Sequence, residues 1–510
     1  MHEPAAQRAV ARLRERYRAI LSHTGTLLLV TGGLMLTPLL VLLGWPEEVR
    51  HAPAFLFPAV FLLAVGAALW RSFRVHERFI LTVQEGSAIV VVSWVASCVA
   101  SAVPFMVAEN MSFTHSLFEA VSGYSTTGLR VVNVLTASRM TLLWRAVMQL
   151  AGGAGLAIIM LASIAGPGGT GLSVAEGRTE QLVPHVRQSV RLVMRLYSGY
   201  AAVGVLAYWV AGMPLFEAIT HSFTAVATGG FSTRPESIGA WDSVRVEAVS
   251  IPLMLLGGMN FLTAWDLLHG KLRAFGRNGE IRLVATLLPI AALVVLTTTT
   301  LAIYPTLGKA VRVAIFEPVS ALTGTGFTST SFAGWAGSGL IVLATLMIVG
   351  GGTSSTAGGI KQYRIHLLAR SIIWDVRRAF LPRTAVQETY VWRGDRRHYF
   401  DADHIRRAGT FAFIYMMAYV IGSTIIASHG YSMSDALFEF ASALGTVGLS
   451  VGVTSPHAPP LVLWTEMLGM FLGRLEFFVV IVGLRKLVVD LAAMRHAQNT
   501  WRPRRPRRQS

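Results

Sequence analysis

Charge is scarce in this chain. Asp, Glu, Lys and Arg make up 14% of its 510 residues, while 53% are hydrophobic. A soluble domain carries about a quarter charged residues, so a water-soluble globule is excluded. Cysteine is nearly absent too: Cys98 stands alone in an apolar run, which rules out a disulfide within the chain. There is no phosphate loop, zinc signature or nucleophile elbow, so the chain does not read as an enzyme and has no nucleotide-hydrolysing site or organic cofactor of its own. The run His398-Tyr-Phe-Asp401-Ala-Asp403-His404 gathers metal-type residues without a ligand spacing and is set aside. Asn110-Met111-Ser112 is a glycosylation triplet of the kind that arises by chance.

What is present is a series of apolar runs, each of roughly the 20 residues that span a bilayer. Ten are long enough, near 24–45, 53–70, 80–108, 138–165, 188–212, 244–269, 281–304, 336–358, 404–428 and 459–491. The first is too long for a signal peptide and lacks a small-residue cleavage site, so it reads as a retained span. The formal charge of +17 sits mostly in segments 1–22, 71–79, 170–195, 270–282, 361–407 and 485–510. These fall at every second gap between spans. That is the positive-inside pattern, and it predicts a multi-pass membrane protein with both termini cytoplasmic. It excludes nucleic acid as the reason for the charge. The tail Trp501-Arg-Pro-Arg-Arg-Pro-Arg508 reads either as a binder of anionic lipid or as a solvated tail.

A short motif recurs four times between these spans. It runs from Phe118-Glu119 to Thr126-Thr127-Gly128, from Phe216-Glu217 to Thr228-Gly229-Gly230, from Phe316-Glu317 to Gly324-Thr325-Gly326, and from Phe438-Glu439 to Thr446-Val447-Gly448. Before each glycine loop lies a half-length segment (115–124, 215–226, 311–322, 434–444), too short to cross and suited to a re-entrant helix. Irregular backbone at that depth is tolerated only inside protein or around a wet cavity. Four such loops in one chain predict a ring of backbone carbonyls that replaces the hydration shell of a potassium ion. The Phe-to-Gly spacing is four residues longer in the second copy, which predicts a re-entrant helix one turn longer there. His221, on that helix, reads as a hydrogen-bonding group near the loop.

These loops resemble those of the Trk/Ktr/HKT superfamily of potassium-uptake proteins, and the two spans ahead of the repeats resemble its bacterial Trk branch. The resemblance covers about 80–491 and implies an all-α polytopic fold: four pseudo-symmetric helix–pore loop–helix repeats plus two extra N-terminal helices. The division is then 1–79 for the N-terminus and extra spans, 80–187, 188–280, 281–403 and 404–492 for the repeats, and 493–510 for a basic tail. The family's filter glycines fall on Gly128, Gly230, Gly326 and Gly448. Plant relatives that prefer sodium carry serine at the first of these, so four glycines imply potassium as the transported ion.

The run Gly350-Gly351-Gly352-Thr353-Ser354-Ser355-Thr356-Ala357-Gly358-Gly359 interrupts the eighth span, where five glycines disfavour a helix. It reads either as a helix-packing surface or, as the resemblance implies, as an intramembrane gate. Arg474 lies deep in the tenth span, a costly place for a charge; it faces the passing cations, a gate-loop carbonyl, or an acidic partner on another span. Gln149-Leu-Ala-Gly152-Gly153-Ala-Gly155 and Gly257-Gly258-Met259-Asn260 read as packing sites of inner helices. Gating is thereby expected to belong mainly to repeats three and four. The resemblance further implies a homodimer and a cytosolic nucleotide-binding regulatory partner on the basic connections at 170–195, 270–282 and 361–407. Two other classes stay open from the residues alone. An ion-coupled H+ or Na+ symporter would use Glu85, Glu247, Asp266 or Glu476; a membrane scaffold or sensor would need no pore loops.

Overall fold

The computed structural model describes residues 3–73, 82–155, 186–382, 389–393 and 396–500. Among these the chain is helical apart from one hairpin, β1 (Tyr390–Arg393) and β2 (Arg396–Tyr399), with Tyr390 paired to Tyr399. The all-α polytopic architecture therefore holds, with a small hairpin in the 361–407 connection that the sequence pattern does not announce. Five helical stretches among the described residues are long and apolar enough to cross a membrane: 15–43, 46–72, 83–108, 279–303 and 402–427.

Two helices, α1 (Glu3–Met35) and α2 (Ala52–Ser72), precede the repeating part. They touch where two glycines meet. A Cβ on Gly66 would lie 2.7 Å from the Gly25 carbonyl, and one on Gly25 would lie 2.9 Å from the Gly66 carbonyl. Small residues allow this approach in lipid, where no hydrophobic force drives helices together. Hydroxyl pairs join α1 to α3 (Val83–Ala108): Thr24 with Ser93 at 3.3 Å and Thr31 with Ser97 at 3.2 Å. A capping box starts α3, with Thr82 and Glu85 each accepting the other's backbone N–H. Gly66→Val is expected to overpack this contact by about 1–3 kcal/mol. Thermal unfolding in detergent should fall by several degrees while ion flux per folded molecule stays at the wild-type level; an unchanged melting curve would remove the glycine contact from the account.

From α3 onward one unit recurs, made of a long helix, a short helix, a loop and an inner helix. The first is α3, α4 (Phe113–Tyr124) and α5 (Arg139–Ala154). The second is α6 (Val186–Val210), α7 (Leu215–Val226) and α8 (Val244–Gly258), which resumes as α9 (Phe261–Leu268). The third is α10 (Gly279–Val295, carried through a π turn towards Ile303), α11 (Leu307–Thr323), α12 (Gly337–Val349) and α13 (Gln362–Ala379). The fourth is α14 (Ala402–Ala427), α15 (Met433–Gly445), α16 (Pro460–Leu475) and α17 (Phe477–Thr500). Hydroxyl side chains start three of the short helices: Ser112 accepts from His115 N–H, Thr306 from Lys309 and Ser432 from Asp435.

The expectation of a longer second short helix is corrected. α7 and α4 both have 12 residues. Counting back from the loop glycine, the partner of Glu119 in the second unit is His221, and the Phe216-Glu217 pair lies one turn earlier on the same face. The extra four residues lie in the spacing of the landmark, not in the length of the helix.

The inner helix ends or breaks within the described residues of every unit, not only in the third. α5 stops at Ala154, α8 gives way at Met259–Asn260, α12 stops at Val349, and α16 ends at Leu475 before Glu476 at φ 62°. In three units the inner helix crosses the end of its short helix at a glycine just before the break. Gly152 abuts the Tyr124 carbonyl, Gly257 that of Val226, and Gly473 that of Leu444. The end of the expected fourth span (156–165), most of the 170–195 connection and the tail 501–508 fall outside the described residues.

Candidate ion pathway

Each short helix ends in the same way. The residue after its last turn has left-handed backbone: Thr126 at φ 54°, Thr228 at 49°, Gly324 at 70° and Thr446 at 52°. The next N–H reaches back to the helix, Thr127 to the Ser122 carbonyl at 3.0 Å, Gly229 to Thr224 at 2.8 Å, Thr325 to Ser320 at 3.0 Å and Val447 to Ser442 at 2.9 Å. That is a Schellman ending, normally closed by glycine. Threonine holds the position three times although a β-branched residue is strained there, and such strain persists at functional sites. The loop glycine follows, again left-handed: Gly128 at φ 95°, Gly230 at 70°, Gly326 at 76° and Gly448 at 101°.

These four glycines close a ring. A Cβ on Gly128 would overlap the Gly229 carbonyl, one on Gly230 the Thr325 carbonyl, one on Gly326 the Val447 carbonyl, and one on Gly448 the Thr127 carbonyl. Each unit thus faces the next, and the fourth returns to the first. All four glycines line one cavity of about 790 Å³, walled by the chain that leaves the loops, Leu129–Val134 and Ser450–Pro456 among it. A Cβ at any of these contacts displaces the carbonyl it meets, so main-chain carbonyls form the ring.

Hydroxyls and buried acceptors behind the ring fix its shape. Ser122 accepts from Gly128 N–H at 3.1 Å and Ser442 from Gly448 N–H at 2.9 Å; Ser320 donates to the Phe327 carbonyl at 2.7 Å. With Thr224, these form a set six residues before each loop glycine, a fourfold signal present in the sequence and easily missed because serine and threonine are common. Nine residues before the glycine lies a fully buried acceptor. Glu119 receives Val131 and Val132 N–H at 3.2 and 2.8 Å, Glu317 receives Ser329 N–H at 2.8 Å, and Glu439 receives Val451 N–H at 3.0 Å. In the second unit His221 takes this place, 2.9 Å from the Ser232 hydroxyl. Glu217 instead pairs with Arg234 at 2.7 Å.

The second loop is also held by its neighbour. Gln149 on α5 donates to the Gly229 carbonyl and accepts from Phe231 N–H, and Arg145 donates to the Ser232 carbonyl at 3.1 Å with its guanidinium 3.8 Å from the Phe231 ring centroid. The reading of this stretch as packing alone is therefore too narrow: Gly152 and Gly153 pack, whereas Gln149 grips a loop.

Beneath the ring lies the buried segment 350–361, and it touches all four units. The Thr356 hydroxyl lies 2.9 Å from that of Thr228, and its carbonyl accepts from Thr126 at 3.5 Å; Ala357 abuts Gly324, and Gly358 abuts Thr446. The inner-helix breaks supply its acceptors. Gly352 N–H donates to the Gly258 carbonyl at 2.8 Å and Thr356 N–H to that of Gly257 at 3.2 Å. Gly351 N–H closes onto the Gly358 carbonyl, Gln362 reaches the Gly350 carbonyl at 3.1 Å, and Thr353 is held by Glu280 through N–H and hydroxyl at 2.8 and 2.7 Å. Ser355 donates to the Gly352 carbonyl at 2.6 Å, while Ser354 and Gly359, at φ 56° and 83°, turn the segment back. Arg474 donates to the carbonyls of Thr356 and Gly152. Of the three expectations for Arg474, the contact with a carbonyl of this segment is present.

The acidic residues near span ends are engaged elsewhere. Glu85 pairs with Arg16, Glu247 with Arg312, Asp266 with Lys271 and Glu476 with Arg364. Asp401 caps α14, and the N–H of His404 donating to it holds its carboxyl below the usual range. A carboxylate that the sequence pattern hides is Glu466 on α16, fully buried and 3.1 Å from the Thr454 hydroxyl, which also lies 2.5 Å from Glu439.

The sequence profile of the family described as "TrkH: Cation transport protein" matches residues 51–490. The Trk system potassium uptake protein TrkH of Salmonella typhimurium is 29% identical over 482 residues, covering 91% of this chain and 98% of its own. The protein of that name from Escherichia coli K12 is 29% identical over 485 residues with the same coverage. Among solved structures, the potassium transporter TrkH from Vibrio parahaemolyticus matches with a TM-score of 0.80 at 27% identity, over 91% of this chain and 98% of that one.

Proposed function

Because this chain belongs to the family of TrkH cation transport proteins, and is not an enzyme, we propose that it takes up potassium through a selectivity filter made by its four glycine loops. The observation that carries this is the closed ring in which Gly128, Gly230, Gly326 and Gly448 each face the carbonyl ahead of the next glycine, at the floor of a cavity. Potassium enters this vestibule from outside the cell, exchanges water for the carbonyls of Thr126–Gly128, Thr228–Gly230, Gly324–Gly326 and Thr446–Gly448, and meets the 350–359 segment below them. The partial negative charge at the C-termini of α4, α7, α11 and α15 favours a cation there. The segment is the gate, and Arg474 is its latch.

The boundaries proposed for the repeats are 80–187, 188–280, 281–403 and 404–492. The basic connections face the cytoplasm of the inner membrane, and a cytosolic nucleotide-binding subunit docks on 170–195, 270–282 and 361–407 of a homodimer, in keeping with the family resemblance. Coupled symport draws support from one place. Glu439 and Glu466 meet on the single hydroxyl hydrogen of Thr454, which leaves room for an exchangeable proton between two buried carboxyl groups.

The test is ion flux in proteoliposomes with potassium, rubidium and sodium. Wild-type protein is expected to pass potassium and rubidium over sodium, and Gly128→Ser to raise sodium passage about tenfold relative to potassium, a loss of roughly 1.4 kcal/mol of discrimination. Unchanged selectivity in that variant would defeat the filter reading, and flux that follows an imposed pH gradient would favour symport.

A further inference from the structure

Three of the four loops are braced by a buried carboxylate and one by a buried imidazole. On the reading of the loops as the filter, we propose that His221 is a positioning residue that sets ion discrimination in the second quarter, as an acceptor without charge.

The hydrogen-bond pattern fixes what the imidazole presents. Its Nδ1 lies 2.8 Å from the Glu217 carbonyl, which only accepts, so Nδ1 carries the proton. A neutral imidazole has one donor and one acceptor, so Nε2 accepts from the Ser232 hydroxyl at 2.9 Å. The oxygen of Ser232 receives Arg234 N–H at 3.0 Å, in agreement with its own hydrogen being given to His221. All four units thus offer an acceptor to the chain leaving the loop, and only the second does so from an imidazole nitrogen in place of a carboxyl oxygen.

Its surroundings explain the exception. The cations around this strand are already engaged: Arg234 on the strand pairs with Glu217, and the Arg145 guanidinium donates to the Ser232 carbonyl and lies 3.7 Å from Glu119, the brace of the first loop. One guanidinium therefore serves the outgoing strand of loop two and the carboxylate of loop one. The ring of His221 also reaches the third unit, 5.8 Å from that of Phe327, the residue after Gly326, and it meets Trp241 edge-on at 5.1 Å. The imidazole is fully buried, so it acts on the ion through the loops it separates and not by contact. It ties loop two by a hydrogen bond and spaces loop three by a flat ring, two tasks that a carboxylate on this helix cannot combine.

The closing experiment measures the inhibition by sodium of rubidium uptake into proteoliposomes for the full chain and four variants. His221→Gln keeps a neutral acceptor and is expected to retain the wild-type potassium-over-sodium preference within about twofold. His221→Leu removes the acceptor and should lower that preference about fivefold, with uptake at saturating rubidium changed less than the preference. Ser232→Ala removes the partner from the loop side without touching the helix core, and should reproduce the leucine result even where His221→Leu folds poorly. Wild-type preference in Ser232→Ala, or equal losses in His221→Gln and His221→Leu, would overturn the proposal. Gly128→Ser in the same preparation separates the two readings. If it alone loses preference, the filter stands and His221 has no part in selectivity; if it too is unchanged, the filter reading fails first.

Discussion

Gly326→Ala is expected to abolish potassium uptake, with a fall of at least about a hundredfold, equivalent to a barrier raised by roughly 3 kcal/mol. Two effects add. At φ 76° an L-residue carries a backbone penalty of about 1–2 kcal/mol. The new Cβ also overlaps the Val447 carbonyl, which has to turn away or be pushed outward. A carbonyl so displaced no longer replaces water on the ion. Gly334 supplies the control. It has nearly the same angle, φ 77°, and lines the same cavity, but nothing lies within 4 Å of its Cβ position. Gly334→Ala carries the strain without the overlap, so its uptake should stay within about threefold of wild type. Rubidium uptake normalised to folded protein decides the matter. Equal effects in the two variants would mean that strain, not the carbonyl ring, governs conduction.

Arg474→Ala is expected to turn the closed protein into a leaky one. The arginine gives charge-assisted bonds to the carbonyls of Thr356 in the 350–359 segment, proposed as the gate, and of Gly152 at the end of α5. Such bonds contribute about 1.5–3 kcal/mol each before water replaces them. A net loss of about 2 kcal/mol from the closed state alone would shift the open fraction roughly thirtyfold. Potassium efflux from proteoliposomes without any cytosolic partner should therefore rise ten- to thirtyfold. Arg474→Lys, a point charge that reaches one carbonyl at a time, should fall between the two. Efflux at the wild-type level from folded Arg474→Ala would remove the latch from the mechanism.

Much of this site was legible because it depends on residues that announce themselves. Glycines at 128, 230, 326 and 448, the run at 350–359 and an arginine in an apolar span all break a strong background pattern. The three left-handed threonines were not legible, because nothing in a threonine signals the rare backbone region it occupies. The break at Leu475–Glu476 escaped for the opposite reason: the surrounding sequence is ordinary apolar helix, and the turn is imposed by tertiary contacts, with Glu476 drawn to Arg364. The role of Gln149 needed the neighbouring unit to be in place, since its partners lie 80 and 82 residues away. The Phe-Glu pair is a misleading landmark in the second unit, because Glu217 lies one turn before the place of Glu119; Ser122, Thr224, Ser320 and Ser442 align the four units and set His221 in register with the three glutamates.

The closed ring of glycines has a thermodynamic consequence. A chain of contacts with two ends can relax at either end, but a cycle has none. To widen or narrow the gap at Gly128, the carbonyl of Gly229 moves, which shifts Gly230 against Thr325, and so on until the disturbance returns through Thr127. The energies of substitutions in opposite loops are then not separable even though those loops share no direct glycine contact. If the ring is the filter, as proposed, discrimination between ions of different radius belongs to the perimeter as a whole: a smaller ion is disfavoured because no quarter can contract around it alone.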